Sequence, residues 1–308
     1  MYKVVKEGKG GISAKIVADS VNDNGNRVTT YELEYHRFIH GEVMTHRLFS
    51  RNAMSSRAVP VSKMIEQSNT TPIHFGKKQS GMQADHEHED VAGGKQVWEN
   101  AREDAIHHAT LLEQRGYHKQ IVNRLLEPFQ MMKVVLTATE FENFFWLRCD
   151  KDAQPEIQEL AGLMYEALKE STPEKLKVGD WHTPYVGHLP CMNGFVYTVD
   201  GYTSITQEEA IAISSSCCAQ VSYRNIDNSF NKAMAVYERL GVGGNKIHAS
   251  PFEHVATPMR KTEMDYTDAE EGINEDGVTH MDTEFQYWSG NFKGWIQHRQ
   301  QLDNHTKW

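Results

Sequence analysis

Two short runs near the N-terminus constrain the fold more than any other feature of the chain. Ile12-Ser13-Ala14-Lys15-Ile16-Val17-Ala18 and Val28-Thr29-Thr30-Tyr31-Glu32-Leu33-Glu34-Tyr35 flank the polar turn Asn22-Asp23-Asn24-Gly25-Asn26. In the second run Tyr31, Leu33 and Tyr35 alternate with Glu32 and Glu34, the period-two pattern of a strand. The pair reads as an antiparallel hairpin with one apolar and one wet face. Such a sheet buries its apolar face against another layer, and the chain supplies helices for it. Val97, Trp98, Ala101, Ala105, Ala109 and Leu112 share one helical face ahead of Gly116. Ile157, Leu160, Ala161, Met164 and Leu168 share another, with Pro155 acceptable in its first turn.

Shorter segments fill in the order. His40 to Phe49 has a helical period, and a polar loop continues to Pro60. Ile121 to Leu126 reads as a short helix stopped at Pro128, Lys133 to Thr139 as a strand, and Phe141 to Arg148 fits either. Ser171 to Ser204, rich in Pro, Gly and aromatics, reads as a long connection. Thr206-Gln207-Glu208-Glu209 is a capping box opening the next helix. Phe230, Ala233, Met234, Tyr237 and Leu240 line one more, closed by Gly241. Residues 263–284 are acidic and turn-rich, the pattern of an exposed insertion. The expected class is α+β (α/β mixed), an antiparallel sheet packed with long helices.

Bulk properties exclude several functions. With 39% hydrophobic and 24% charged residues over 308 positions, the composition is globular. No apolar run approaches a membrane span, and Met1-Tyr2-Lys3-Val4-Val5-Lys6 lacks the apolar core of a signal peptide. Cys149, Cys191, Cys217 and Cys218 show no zinc spacing, and adjacent cysteines make a poor disulfide, so a reducing, cytoplasmic setting is expected. A net charge of −10 argues against binding a nucleic-acid polymer. An acidic chain still holds a phosphorylated small molecule if basic residues converge locally.

Such a convergence is written into Thr45-His46-Arg47-Leu48-Phe49-Ser50-Arg51-Asn52-Ala53-Met54-Ser55-Ser56-Arg57. Arginine presents a charged fork of donors matched to phosphate oxygens, and serine adds hydroxyls. By composition alone the segment reads sooner as a helix C-terminus, with basic residues on free carbonyls and serines in water. Its spacing resembles something more specific. His46-Arg47, seven residues and then Ser55, with Arg57 two further on, is similar to the signature of flavin-dependent thymidylate synthases, an Arg-His-Arg triplet, seven residues and a serine. Thr45 stands where that triplet has its first arginine.

Further blocks carry the same resemblance. Asn143-Phe144-Phe145-Trp146-Leu147-Arg148 followed by Ala153-Gln154-Pro155-Glu156-Ile157 resembles the family's Asn…Leu-Arg…Ala-Gln-x-Glu-Ile segment, with Asp152 at the place of a flavin-contacting histidine. Arg124-Leu125-Leu126-Glu127-Pro128 resembles its arginine-to-proline motif. Cys218-Ala219-Gln220-Val221-Ser222-Tyr223 and His248-Ala249-Ser250-Pro251-Phe252-Glu253-His254 resemble its flavin-binding pieces. In usual members the Ser-Pro-Phe-Glu-His piece precedes the arginine loop. Here it follows by about two hundred residues, the order of a circularly permuted, phage-type relative, which close surface termini make cheap. That order requires His248 and Glu253 to lie near Arg47, in one subunit or across a boundary. Gly290 to Arg299 faintly echoes the His-Arg segment.

The resemblance implies reductive methylation of dUMP at C5, with FAD as flavin and methylenetetrahydrofolate and NADPH as co-substrates. Arg148 and Ser55 would be catalytic, with Arg148 stabilising charge on the pyrimidine edge. Ser55, Arg57, Arg124 and Arg148 would hold the nucleotide. His46, Arg47, Asn52, Asn143, Ser222, His248, Ser250 and Glu253 would hold the flavin. It implies a homotetramer with active sites between subunits. Residues 1–170 would form the nucleotide and flavin core, 171–204 a connection, and 205–308 a flavin segment completing that core. Alternatives remain: a sibling enzyme that hydroxymethylates the same carbon for modified phage DNA, or a non-catalytic nucleotide-binding descendant.

Read by themselves, the remaining motifs are bland. Asp85-His86-Glu87-His88-Glu89-Asp90 has metal-ligand chemistry, but successive loop side chains rarely converge on one ion, so no metal is expected; a metal hydrolase centred there is the competing class. His107-His108 reads as solvent-facing on its helix. Phe75 to Gln83 lacks the strand-to-helix setting of a P-loop and resembles a substrate-covering loop of the phage-type relatives. Cys217 and Cys218 read as small buried residues.

Overall fold

The computed structural model describes residues 2–192, 194–221, 227, 229–241, 247–264, 275–303, 305 and 306. Its centre is an antiparallel sheet built from β1 (Val4–Glu7), β2 (Ser13–Val21), β3 (Arg27–His36), β4 (Ser50–Ala53) and β5 (Met131–Ala138), in the order β1-β2-β3-β5-β4. The β2–β3 hairpin closes at Gly25, whose φ of 85° suits glycine. Tyr31, Leu33 and Tyr35 are fully buried, as their alternation requires. Helices cover that face: α1 (His40–Val43), α2 (Val61–Glu66), α3 (Val91–Gln114), α4 (Lys119–Val122), α5 (Glu142–Arg148) and α6 (Pro155–Glu170). The α6 stripe Ile157, Leu160, Ala161 and Met164 enters the core with no exposed surface. On α3 the inward stripe is the buried Ala109 with the half-buried Trp98, Ala105 and Leu112, whereas Val97 and Ala101 lie on the solvent side. Gly116, φ 80°, turns the chain off α3.

The opposite face of the sheet is not wet. Beyond β6 (Glu174–Lys175), which adds to β2 in parallel, come β7 (Gly187–Cys191), β8 (Gly194–Val199) and β9 (Thr203–Ile205), an antiparallel meander, then α7 (Gln207–Gln220) and α8 (Phe230–Arg239). After them lie β10 (Ala256–Pro258), β11 (His280–Met281), β12 (Tyr287–Ser289), β13 (Phe292–Lys293) and β14 (Trp295–Gln297), with β10 pairing β14. Val28 on β3 packs with Leu176, Ala256, Phe292 and Trp295. Glu32, expected in water, is 2% exposed. It is satisfied there by Lys133 Nζ at 2.9 Å and by the hydroxyls of Tyr2 at 2.9 Å and Tyr185 at 3.1 Å. A buried carboxylate survives only with such partners.

Three other expectations are corrected. The helix from His40 ends at Val43, because Arg51 Nη1 donates to the carbonyls of Val43 at 3.1 Å and His46 at 3.2 Å, and the chain turns into β4. The helix at Ile121 is one turn of α4 continued as a 3-10 turn, Asn123–Phe129, that contains Pro128. The 171–204 connection carries β6, β7, β8 and the start of β9; Pro190 is tolerated because β7 is an edge. The capping box at Thr206 is formed in both directions. Of the 263–284 insertion, residues 265–274 lie outside the described residues. Among the described residues, no helix is long and apolar enough to cross a membrane.

Candidate active site

The arginine loop leaves the sheet at its edge strand. On β4, Ser50 and Asn52 point inward and Arg51 and Ala53 outward by simple alternation. The 3-10 turn Ser250–His254 packs against β4 and β5. It is pinned from below by a chain of buried hydrogen bonds: His254 Nδ1 to Thr137 Oγ1 at 2.8 Å, Thr137 to Thr30 at 2.7 Å, Thr30 to His182 Nε2 at 2.8 Å, and His182 Nδ1 to Ser20 at 2.9 Å. Burial pushes His254 down to about 3 and His182 well below the ordinary histidine range, so both rings are neutral.

Two cavities open where these pieces meet. One, of about 990 Å³, is lined by Arg51 and Asn52 from β4, Gln220 at the end of α7, Lys232 and Arg239 of α8, and His248 and Ser250. The other, of about 690 Å³, is lined by Arg47, Arg51, Glu253, Asn291, Gln297 and Arg299. Arg51 lines both. The late His-x-Ser-Pro-Phe-Glu-His piece therefore lies against the early arginine loop within one chain. Asn52 Nδ2 donates to the Cys218 carbonyl at 3.3 Å, tying β4 to α7. Cys217 and Cys218 are buried, and desolvation drives both thiols up, Cys217 to about 12. Neither is a thiolate nucleophile at neutral pH.

Arg148 ends α5 and reaches back to the loop. Its Nε donates to His46 Nε2 at 3.0 Å and its Nη2 to Thr45 Oγ1 at 3.3 Å, with Glu42 at 4.0 Å from Nη1. Burial, then Arg148, then Arg51 hold His46 down at about 4. Ser55, Arg57 and Arg124 form a separate group. The turn from Ser55 to Ala58 is anchored by Asn123 Nδ2, which donates to the carbonyls of Ser56 at 2.7 Å and Val59 at 2.9 Å. Next to Asn123, the half-exposed Arg124 shares Glu127 with Arg37, each at 2.7 Å. Neither group lines the two cavities above. Asn143 is exposed on α5, and Ser222 lies outside the described residues. The Ala-Gln-Pro-Glu block anchors a neighbour: Glu156 accepts from the Ile73 amide at 2.9 Å.

Arg51, Lys232 and Arg239 were not singled out by sequence, and Arg299 only as the end of the tail that echoes the His-Arg segment. Arg51 sits inside the seven-residue spacer, and strand alternation was the signal that could have flagged it. The other motifs stay local. Lys77 pairs with Glu89 at 2.5 Å, Asp90 caps α3 at the Gly93 amide, and His107 and His108 are exposed. Among the described residues, no three His, Cys, Asp or Glu side chains gather to hold a metal ion.

An α+β protein whose edge strand presents guanidinium and amide donors to a cationic cleft is, in class, one built for an anionic ligand carrying acceptors. Residues 27–174 match the family described as thymidylate synthase complementing protein, and over this span the chain is similar to the flavin-dependent thymidylate synthases. The match takes in β3, the arginine loop, β5 and the Arg148 block. The description of that family ties it to thymidylate synthesis, a transferase reaction. No curated protein matches the chain.

Proposed function

We propose that the protein is a circularly permuted flavin-dependent thymidylate synthase that methylates dUMP at C5, taking the carbon from methylenetetrahydrofolate with FAD as its flavin and NADPH as reductant. The observation that carries this reading is the meeting of the family-matched arginine loop with the His248–His254 segment at Arg51. The donor set fits a flavin dinucleotide: two cavities that share Arg51 as a wall, each within the usual size of ligand pockets, with guanidiniums for phosphates and Asn52, His248 and Ser250 for a polar ring edge. His46, Arg47, Asn143, Ser222 and Glu253 belong to the same proposed cofactor site. The flavin, when bound, supplies the reducing electrons for the new methyl group.

The chain's own residues then polarise and position. Arg148, held by His46 and Thr45, would place its fork on the pyrimidine oxygen where negative charge develops. Ser55, Arg57 and Arg124, on their anchored turn, would hold the rest of the nucleotide. Among the described residues no hydrogen bond or ion pair joins these two groups within one chain, which agrees with a site completed across subunits of a tetramer. Met44, Leu48, Trp146 and Leu147, which flank the Arg148–His46 contact in sequence, are 41–77% exposed, an apolar set suited to a partner subunit.

The test is spectroscopic. Purified protein is expected to bind FAD, to lose the oxidised flavin absorbance with NADPH, and to regain it only when dUMP and methylenetetrahydrofolate are both present, with dTMP identified by mass spectrometry. A protein that takes up no flavin, or that yields hydroxymethyl product, would overturn the proposal.

A further inference from the structure

We propose that Arg299, carried by the C-terminal turn His298–Gln301, completes with Arg47 and Arg51 a subsite for a diphosphate group. It deepens the flavin reading above, by naming which chain segment holds the anionic middle of the ligand. The three guanidiniums line one cavity and, among the described residues, face a single lining carboxylate, Glu253. Local charge is thus strongly positive in a protein whose net charge is −10, and two charges remain for a dianion after Glu253 is matched.

Each arginine is held differently. Arg51 spends Nη1 on the backbone carbonyls of Val43 and His46, which fixes its plane and leaves the other edge of the fork toward the cavity. Arg299 is clasped by Glu253, and its Nε is buried without a partner among the described residues. A buried donor left unmatched costs free energy that a ligand oxygen would recover. Thr45, two residues before Arg47, is turned the other way, toward Glu42 and Arg148. The third guanidinium therefore comes from the tail.

The tail is firmly seated. Gln297 Nε2 donates to Ser50 Oγ, to the Glu253 carbonyl and to Asn291 Oδ1, all at 3.1 Å. Asn291 Nδ2 donates to the Leu48 carbonyl at 2.8 Å. These bonds join residues 291–299 to the loop at 47–51, so a segment outside the family-matched span 27–174 becomes part of the ligand cleft.

The experiment uses the full chain and two probes, inorganic pyrophosphate and FAD, by titration calorimetry at several salt concentrations. Wild type is expected to bind pyrophosphate, and Arg299→Gln to weaken it about tenfold or more with a shallower salt dependence. Arg299→Lys keeps the charge toward Glu253 and guards against a folding defect; it is expected to be intermediate, because a point charge cannot reproduce the fork. Pyrophosphate affinity unchanged in Arg299→Gln, or no pyrophosphate binding by wild type, would sink the subsite. Arginine-dependent pyrophosphate binding in a protein that takes no FAD would sustain the subsite while ending the flavin reading.

Discussion

His46 has one ring proton and only one place to keep it. Arginine only donates, so the 3.0 Å contact from Arg148 Nε makes His46 Nε2 an acceptor and puts the proton on Nδ1. With its pKa held at about 4, the ring stays neutral near pH 7 and orients the guanidinium without repelling it. The fork of Arg148 is fixed at two nitrogens, which suits the role proposed for it, stabilising charge that grows during reaction. Arg148→Lys is expected to lower kcat by about 10²-fold or more, at little cost in thermal stability because the side chain is partly exposed. Steady-state kinetics beside a melting curve checks this, and equal turnover would remove Arg148 from the chemistry. The residue types were legible in the sequence. What was not legible is that Thr45, the one departure in the triplet, binds Arg148 itself.

Among the elements, the 3-10 turn Ser250–His254 shows how the late flavin-type motif is held. Proline at its start and glycine-free backbone make the turn local, but its place on the sheet comes from the polar chain Ser20, His182, Thr30, Thr137 and His254. These side chains belong to β2, β3, β5 and two later segments, so no window of sequence contains them. The histidines have a thermodynamic consequence. His40 and His298 are lowered to about 4 and His254 to about 3, in each case mainly by burial. Between the ordinary histidine range and those values the unfolded chain binds more protons than the folded one, so stability rises with pH there. Their contribution is fully present above about pH 6.5 and is lost as pH falls toward 4. Urea midpoints measured from pH 7.5 down to 4.5 are expected to fall, and less steeply in His254→Asn. A flat profile would show that these rings are not buried neutral. The two-faced burial of the hairpin was missed for a related reason: Glu32 signals water until Lys133, Tyr2 and Tyr185 arrive from other strands and loops.

At the scale of the whole molecule, the proposed tetramer places weight on the apolar residues beside Arg148. Trp146 is 77% exposed at the end of α5, and a large exposed indole next to the arginine proposed to meet the nucleotide suits an interface. Trp146→Glu is expected to shift the assembly toward monomer of 35.2 kDa in analytical ultracentrifugation and to remove activity, with the fold intact by circular dichroism. A wild-type monomer that turns over would show the site to be complete in one chain. The sequence by itself determined the α+β class, the capping box at Thr206, the amphipathic face of α6 and the donor-dense loop from Thr45 to Arg57, because periodicity, caps and donor chemistry are local properties. Tertiary structure alone decided that residues 248–254 and 291–299 come to the Arg47–Asn52 strand, and that both faces of the sheet are dry. Those contacts join segments about two hundred residues apart, and their strength lies in buried hydrogen bonds and matched charges that have no value until the partners are in place.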